Sequence, residues 1–203
     1  MAIALTPTNA AQLFSMISPF MLGFFIFMVS IFNHNIKGII YLAGICLAGI
    51  INAFLMGAVN EPMSDDLSKS KACGLLSNHW PFYGTPSPSG TFIAFTCAYL
   101  ILPLYFNNLM NYPLVISLLA LLIIDIIAKV YNECTSYIGA ALGALVGFLL
   151  GAAWYSMFKA AGLESLVYFN ELTSNKVMCS KPTNQTFKCD VYKGGQLLTR
   201  TTV

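Results

Sequence analysis

The stretch YIGAALGALVGFLLGAAWYSMF, Tyr137 to Phe158, carries no charged residue and repeats a glycine every four positions at Gly139, Gly143, Gly147 and Gly151. A helix of about 20 apolar residues crosses a hydrocarbon layer of roughly 30 Å, so this run reads as a membrane span. A spacing of four places the glycines on one helix face, with Ala140, Ala144 and Ala152 beside them. In lipid such a face lets another helix approach to backbone contact, where van der Waals packing drives association. The same face serves packing inside one chain or contact between copies in a homo-oligomer, and both readings stand at this point.

Four more runs precede it: Gln12 to Phe32, Gly38 to Val59, Thr91 to Phe106 and Pro113 to Tyr131, the third short and bent in prospect by Pro103. The first lacks a preceding Lys or Arg and exceeds a signal core in length, so it reads as a retained membrane helix rather than a cleaved leader. The chain as a whole agrees. Of 203 residues 57% are apolar and 9% charged, and mean hydropathy is +0.72. A water-soluble domain carries about a quarter charged residues, so so few charges leave lipid as the main solvent. Net charge +2 with no Lys/Arg-rich run excludes a nucleic-acid partner.

Expected domains are therefore 1–162, a transmembrane helical bundle with one long polar loop at 60–90, and 163–203, an aqueous tail. The fold class is an all-α membrane protein, a five-helix bundle with a small C-terminal β element. That element rests on the alternation of Phe187, Cys189 and Val191 with polar neighbours, then a turn at Lys193-Gly194-Gly195-Gln196 before Leu197 to Val203. Basic residues stay on the cytoplasmic side. One face has Lys69, Lys71 and Lys129; the other has Lys37, Lys159, Lys176, Lys181, Lys188, Lys193 and Arg200, which puts the tail in the cytoplasm and the long loop on the lumenal side.

Asp125 lies inside the fourth run, where an ionisable residue is a functional hypothesis by default. Lys129 is one turn away and pairs with it as a structural ion pair, with Glu133 a competitor at the same spacing. Cys46 and Cys97 lie in apolar spans and behave as small hydrophobes. Cys73 and Cys134 share the lumenal side and are free to pair. Cys179 and Cys189 flank the β element; a disulfide between them competes with the reducing environment of a cytoplasmic tail. No histidine accompanies them, so no metal site is expected. The sequon Asn184-Gln185-Thr186 shares the cytoplasmic side and is expected to be unused.

From Asn52 to Tyr155 the order of short motifs resembles the type 2 phosphatidic acid phosphatases, membrane phosphohydrolases with a helical-bundle core. Asn52-Ala53-Phe54-Leu55-Met56 with Pro62-Met63-Ser64 resembles the first motif, with Met56 at its lysine and Met63-Ser64 at its Arg-Pro. Pro88-Ser89-Gly90-Thr91 resembles the second, with Thr91 at the histidine. Ala128-Lys129-Val130-Tyr131 resembles the start of the third, with Thr135 at its histidine and Gly139 at its aspartate, and the glycine helix follows. The family's further N-terminal span is not found.

The resemblance implies a nucleophilic histidine, an acid histidine, an orienting aspartate and a Lys/Arg clamp on phosphate. Both histidines, the aspartate and the Lys/Arg pair of the first motif are missing here. Threonine cannot replace imidazole in either role, and a thioether carries no charge. The expectation is no catalytic residue, no cofactor and no enzyme, with Ser89, Gly90 and Lys129 as a vestigial phosphate site. The other histidines, His34 and His79, fall on opposite membrane faces by span count.

The whole chain, including Cys179-Ser180-Lys181-Pro182 and the segment from Gln185 to Lys193, looks like the multi-span membrane proteins of large nucleocytoplasmic DNA viruses. That resemblance implies a component of a virion's internal membrane lying under the capsid. Its expected partners are the lipid bilayer and, through the tail, capsid or other virion proteins. Phe187 and Tyr192 are the expected anchors there, with Lys188 and Lys193 at the rim. The alternative is a residual lipid-phosphate binder or phosphatase.

Overall fold

The computed structural model describes residues 7–59, 84–108, 110–132, 134–167, 188–193 and 196–202. Five helices follow in order: α1 Pro7–Phe32, α2 Lys37–Val59, α3 Pro88–Phe106, α4 Tyr112–Tyr131 and α5 Tyr137–Ala160. All five are long and apolar enough to cross a membrane, which fits a multi-pass integral membrane protein. Residues 170–203 form a separate unit, in which the backbone of Lys188–Lys193 (β1) pairs antiparallel with Gln196–Thr202 (β2).

The helix ends follow from local chemistry. Pro88 opens α3 behind Ser87, at a position where a missing N–H costs nothing. The Pro-Ser-Gly segment expected to close the long loop is therefore helical, and the loop ends before it. Pro103 does not end the helix, which runs on to Phe106. Asn111 caps α4 by accepting from the Leu114 N–H at 3.4 Å, and Ser136 caps α5 by accepting from Gly139 N–H at 2.9 Å. At the opposite ends, Asn107 Nδ2 donates to Pro103 O at 2.8 Å and Asn132 Nδ2 to Ala128 O at 2.6 Å. Gly162 follows α5 at φ 72°, the left-handed conformation that stops a helix.

Central in the bundle is α3, with 67% of its apolar window buried against 22–39% in the other four helices. Its most extensive partner is α5, and the glycine face explains why. A Cβ on Gly143 would lie 2.9 Å from Ser87 N; on Gly147, 2.8 Å from Thr91 Cα; on Gly151, 3.1 Å from Phe95 Cα. Three glycines four apart thus meet three backbones four apart, those of Ser87 just ahead of α3 and of Thr91 and Phe95 within it. The face is filled within the chain by α3 and the residue before it, which is the intrachain one of the two packing readings. Elsewhere Tyr41, Phe95, Tyr99 and Tyr155 form a buried aromatic core between α2, α3 and α5, and Ile93, Cys97 and Leu118 join α3 to α4.

Candidate functional site

A buried polar cluster joins α1, α3 and α4. Asp125 and Lys129, one turn apart on α4, sit with Nζ and Oδ1 3.9 Å apart. Ser15 Oγ donates to Asp125 Oδ1 at 2.5 Å, and Ser89 Oγ donates to Asp125 Oδ2 at 2.8 Å. Lys129 Nζ donates to Ser89 Oγ, so this hydroxyl relays between cation and carboxylate. All four side chains are buried, Asp125 to 1% exposure and Lys129 to 4%. A charge pair in a low-dielectric interior holds only if its remaining lone pairs and protons are satisfied, which the two serines provide for the carboxylate.

The expected phosphate trio divides. Ser89 and Lys129 do meet, with the Asp125 carboxylate bonded beside them. Gly90 faces elsewhere: a Cβ on it would lie 3.7 Å from Ala140 O, toward α5. Thr91 Oγ1 meets Asn52 Oδ1 at 3.0 Å, Gly143 O at 3.1 Å and Ser87 O at 3.0 Å. Asn52 Nδ2 donates on to Pro86 O at 3.3 Å. Thr135 Oγ1 is buried without a hydrogen-bond partner, and it and Thr85 Oγ1 would each lie 2.7 Å from a Cβ on Gly139. Met56 lies against Gly84. Among the described residues, Met56, Thr91, Thr135 and Gly139 therefore gather at one end of the bundle, where the C-terminal part of α2 meets the N-termini of α3 and α5. These four carry two hydroxyls, a thioether and a glycine hydrogen.

Sequence reasoning found the Asp125–Lys129 pair but missed its partner Ser15. The signal was a serine inside the apolar first run, since a polar side chain in a span seeks a partner on another helix. Asn52, a member of the quoted motif, was likewise not assigned its role as the partner of Thr91.

The opposite end holds a second cluster. Glu164 Oε1 accepts from Tyr155 OH and from Asn107 Nδ2, the latter at 3.1 Å. Lys159 Nζ sits 3.4 Å over the Phe106 ring, and Phe106 stacks on Tyr155 at 6.0 Å. The hydrogen bond from Tyr155 holds the Glu164 carboxyl below its ordinary range, with Asn107 and Lys159 adding to the shift. This cluster ties the C-terminal ends of α3 and α5 to the turn at Glu164–Leu166.

Among the tail residues, Phe187 lies outside the described residues. Lys188, Tyr192 and Lys193 fall on the β1 backbone. The 60–83 segment, with Cys73, His79 and Met63, also lies outside them, as does Glu133. Cys134 is disulfide-bonded, whereas Cys46 and Cys97 are free. Among the described residues no group of three or more His, Cys, Asp or Glu is placed to hold a metal. Compared with protein-family models, curated proteins and solved structures, the chain matches none.

Proposed function

We propose that the chain is a non-catalytic structural component of a membrane, built on a phosphatase-like bundle without its chemistry. The observation that carries this reading is the closed Ser15–Asp125–Ser89–Lys129 network, in which the intramembrane charges answer each other and none is presented to a ligand. Thr91, bonded to Asn52 and two backbone carbonyls, is equally a packing residue.

The finer assignment is to the internal membrane of a virion, with the tail contacting capsid proteins; it rests on the resemblance of the whole chain. An exposed strand edge invites pairing with another chain, which suits Phe187, Lys188, Tyr192 and Lys193 as contacts. The Cys134 disulfide supports a lumenal α4–α5 turn, because disulfides persist in oxidising compartments. Truncation after Gly162 tests the proposal: membrane insertion persists and incorporation into particles is lost. Normal incorporation of the truncated chain would put the assembly contact on the helices.

One observation favours a residual lipid-phosphate binder instead. The Thr135 hydroxyl is buried without a partner beside the N-terminus of α5, where backbone N–H groups favour anions. Saturable binding of phosphatidate vesicles, abolished by Thr135→Val, would decide for that reading.

A further inference from the structure

A proline stands inside α1 at Pro19, one turn after the serine that reaches the buried ion pair. Having no N–H, it leaves the Ser15 carbonyl without the donor a helix supplies four residues on, and its ring crowds that same carbonyl. The carbonyl is met instead from one residue earlier, where Ser18 Oγ donates to Ser15 O at 3.2 Å. Such a serine is how a membrane helix tolerates a proline, and both the ring and the back-bonded hydroxyl bend a helix at that turn. The segment 15–19 is thus the weak point of the α1 backbone.

The two sides of this turn are held differently. Beyond it, Leu22 and Ile26 enter the core built around Tyr41 and Phe95. A Cβ on Gly23 would lie 3.1 Å from Phe92 Cζ of α3, and one on Gly38 of α2 would lie 3.1 Å from Phe27 Cα. Ser30 Oγ closes the α1–α2 turn, accepting from Gly38 N–H at 2.9 Å and donating to Asn35 O at 2.6 Å. Before it, among residues 13–18, Ser15, Met16 and Ser18 are buried while Leu13, Phe14 and Ile17 face outward. Ser18 bonds within its own helix, so this half is tied to the bundle by Ser15 Oγ, which donates to Asp125 Oδ1 at 2.5 Å. In lipid, apolar contact between helices has no hydrophobic drive behind it, and a hydroxyl-to-carboxylate bond is the stronger tie.

We infer that α1 is a hinged flap: residues 7–18 turn about the segment 15–19, the Ser15–Asp125 bond is the latch that holds them against α4, and residues 20–32 stay fixed to α2 and α3. Swinging the flap out bares Asp125 and Lys129, which are 1% and 4% exposed when it is closed. The inference rests on the reading of the helices as membrane spans and goes beyond the structural role, since it makes the charge pair a site that the fold covers and uncovers.

The test uses the full chain in phosphatidylcholine vesicles, with Met16→Cys as reporter, because Met16 is buried to 7% beside the latch. Modification by N-ethylmaleimide is followed by mass spectrometry of the peptide that holds residue 16, so native thiols do not enter the reading. Native Cys97, buried to 3% between α3 and α4, reports in the same samples on loosening of the whole bundle. Adding Ser15→Ala to the reporter chain removes the latch and should speed modification at residue 16 about ten-fold, the weight of one hydrogen bond to a charged group, with Cys97 unchanged. Adding Pro19→Ala as well returns a donor to the Ser15 carbonyl and should reverse most of that gain. No gain in Ser15→Ala would overturn the latch, and an undiminished gain with Pro19→Ala would overturn the hinge. A rise at Cys97 in step with residue 16 would replace the flap by general loosening of the bundle. Failure of the unmodified chain to float with the vesicles would overturn the span reading itself.

Discussion

Replacing Gly147 by alanine tests the α3–α5 contact on which the bundle depends, provided it is read against the same change at Gly49. Both glycines are mid-helix, so the gain in helix propensity, up to about 1 kcal/mol, is common to the two variants and cancels in the comparison. At Gly49 a Cβ meets nothing within 4 Å. At Gly147 it lies 2.8 Å from both Cα and C of Thr91, and still nearer to the Thr91 carbonyl oxygen. These are backbone atoms inside a helix and cannot rotate away. Reaching ordinary contact with that oxygen requires α3 and α5 to part by about 1 Å, and a gap of that order forfeits up to half of each neighbouring dispersion contact. It also stretches the Thr91 hydrogen bond to Gly143 O, which stands at 3.1 Å. Overpacking of this kind costs about 1–3 kcal/mol. For a chain of this size the middle of that range lowers the unfolding midpoint by roughly 6 °C. The assay is thermal unfolding of purified protein in one detergent, with molar mass measured by light scattering. The expected outcome is a Gly147→Ala midpoint several degrees below that of Gly49→Ala, at unchanged mass. Equal midpoints would refute the packing argument, and a change in mass without a change in midpoint would return the glycine face to a contact between copies.

Lys129→Met leaves the Asp125 carboxylate buried without its cation and should cost about 3–5 kcal/mol, whereas Asp125→Leu combined with Lys129→Met removes the whole pair and should cost less than the single change. Unfolding midpoints check the order, and a double variant weaker than Lys129→Met alone would show that the charges are needed for more than each other. Glu164 has a folded carboxyl value below its unfolded one, so its contribution is present above the ordinary carboxyl range and is lost as pH falls through the lower folded value. Stability measured from pH 6 to 3 should therefore fall less steeply in Glu164→Gln and in Tyr155→Phe, by a small amount because the group lies near solvent; slopes identical to the unmodified protein would count against the clasp.

The five spans were legible because each apolar run is long and uninterrupted, and their boundaries moved by a few residues only where turn chemistry outweighed hydropathy. Pro88 is the clear case: read as the end of a polar loop, it opens α3, since proline suits the first helical turn. At the first span, Pro7 likewise opens the helix ahead of the expected Gln12. The glycine spacing of α5 announced a close helix contact, but a one-dimensional pattern cannot say which helix fills it; the matching spacing of Ser87 at the N-cap of α3 with Thr91 and Phe95 in it is visible only once the two are paired. The ion pair was legible from its spacing of four. Its serine partners were not, because Ser15 lies 110 positions from Asp125 in the chain and only the packing of α1 against α4 brings them together. Gly90 was grouped with Ser89 as a neighbour in sequence, yet consecutive residues of a helix point about 100° apart, and the two face different helices.

The proposal to be tested is that the bundle holds its polar groups for structure and performs no phosphoryl chemistry. The most direct measurement is phosphate release by the purified, unmodified chain from phosphatidate and from diphosphate lipids in mixed micelles, followed from pH 5 to 9. The account predicts release no faster than in protein-free micelles at every pH, because Thr91 and Thr135 can neither attack phosphorus nor protonate a leaving group there, and Lys129 is held by Asp125 and Ser89. Release that turns over many times per chain, and is lost in Lys129→Met or Thr135→Val, would contradict it.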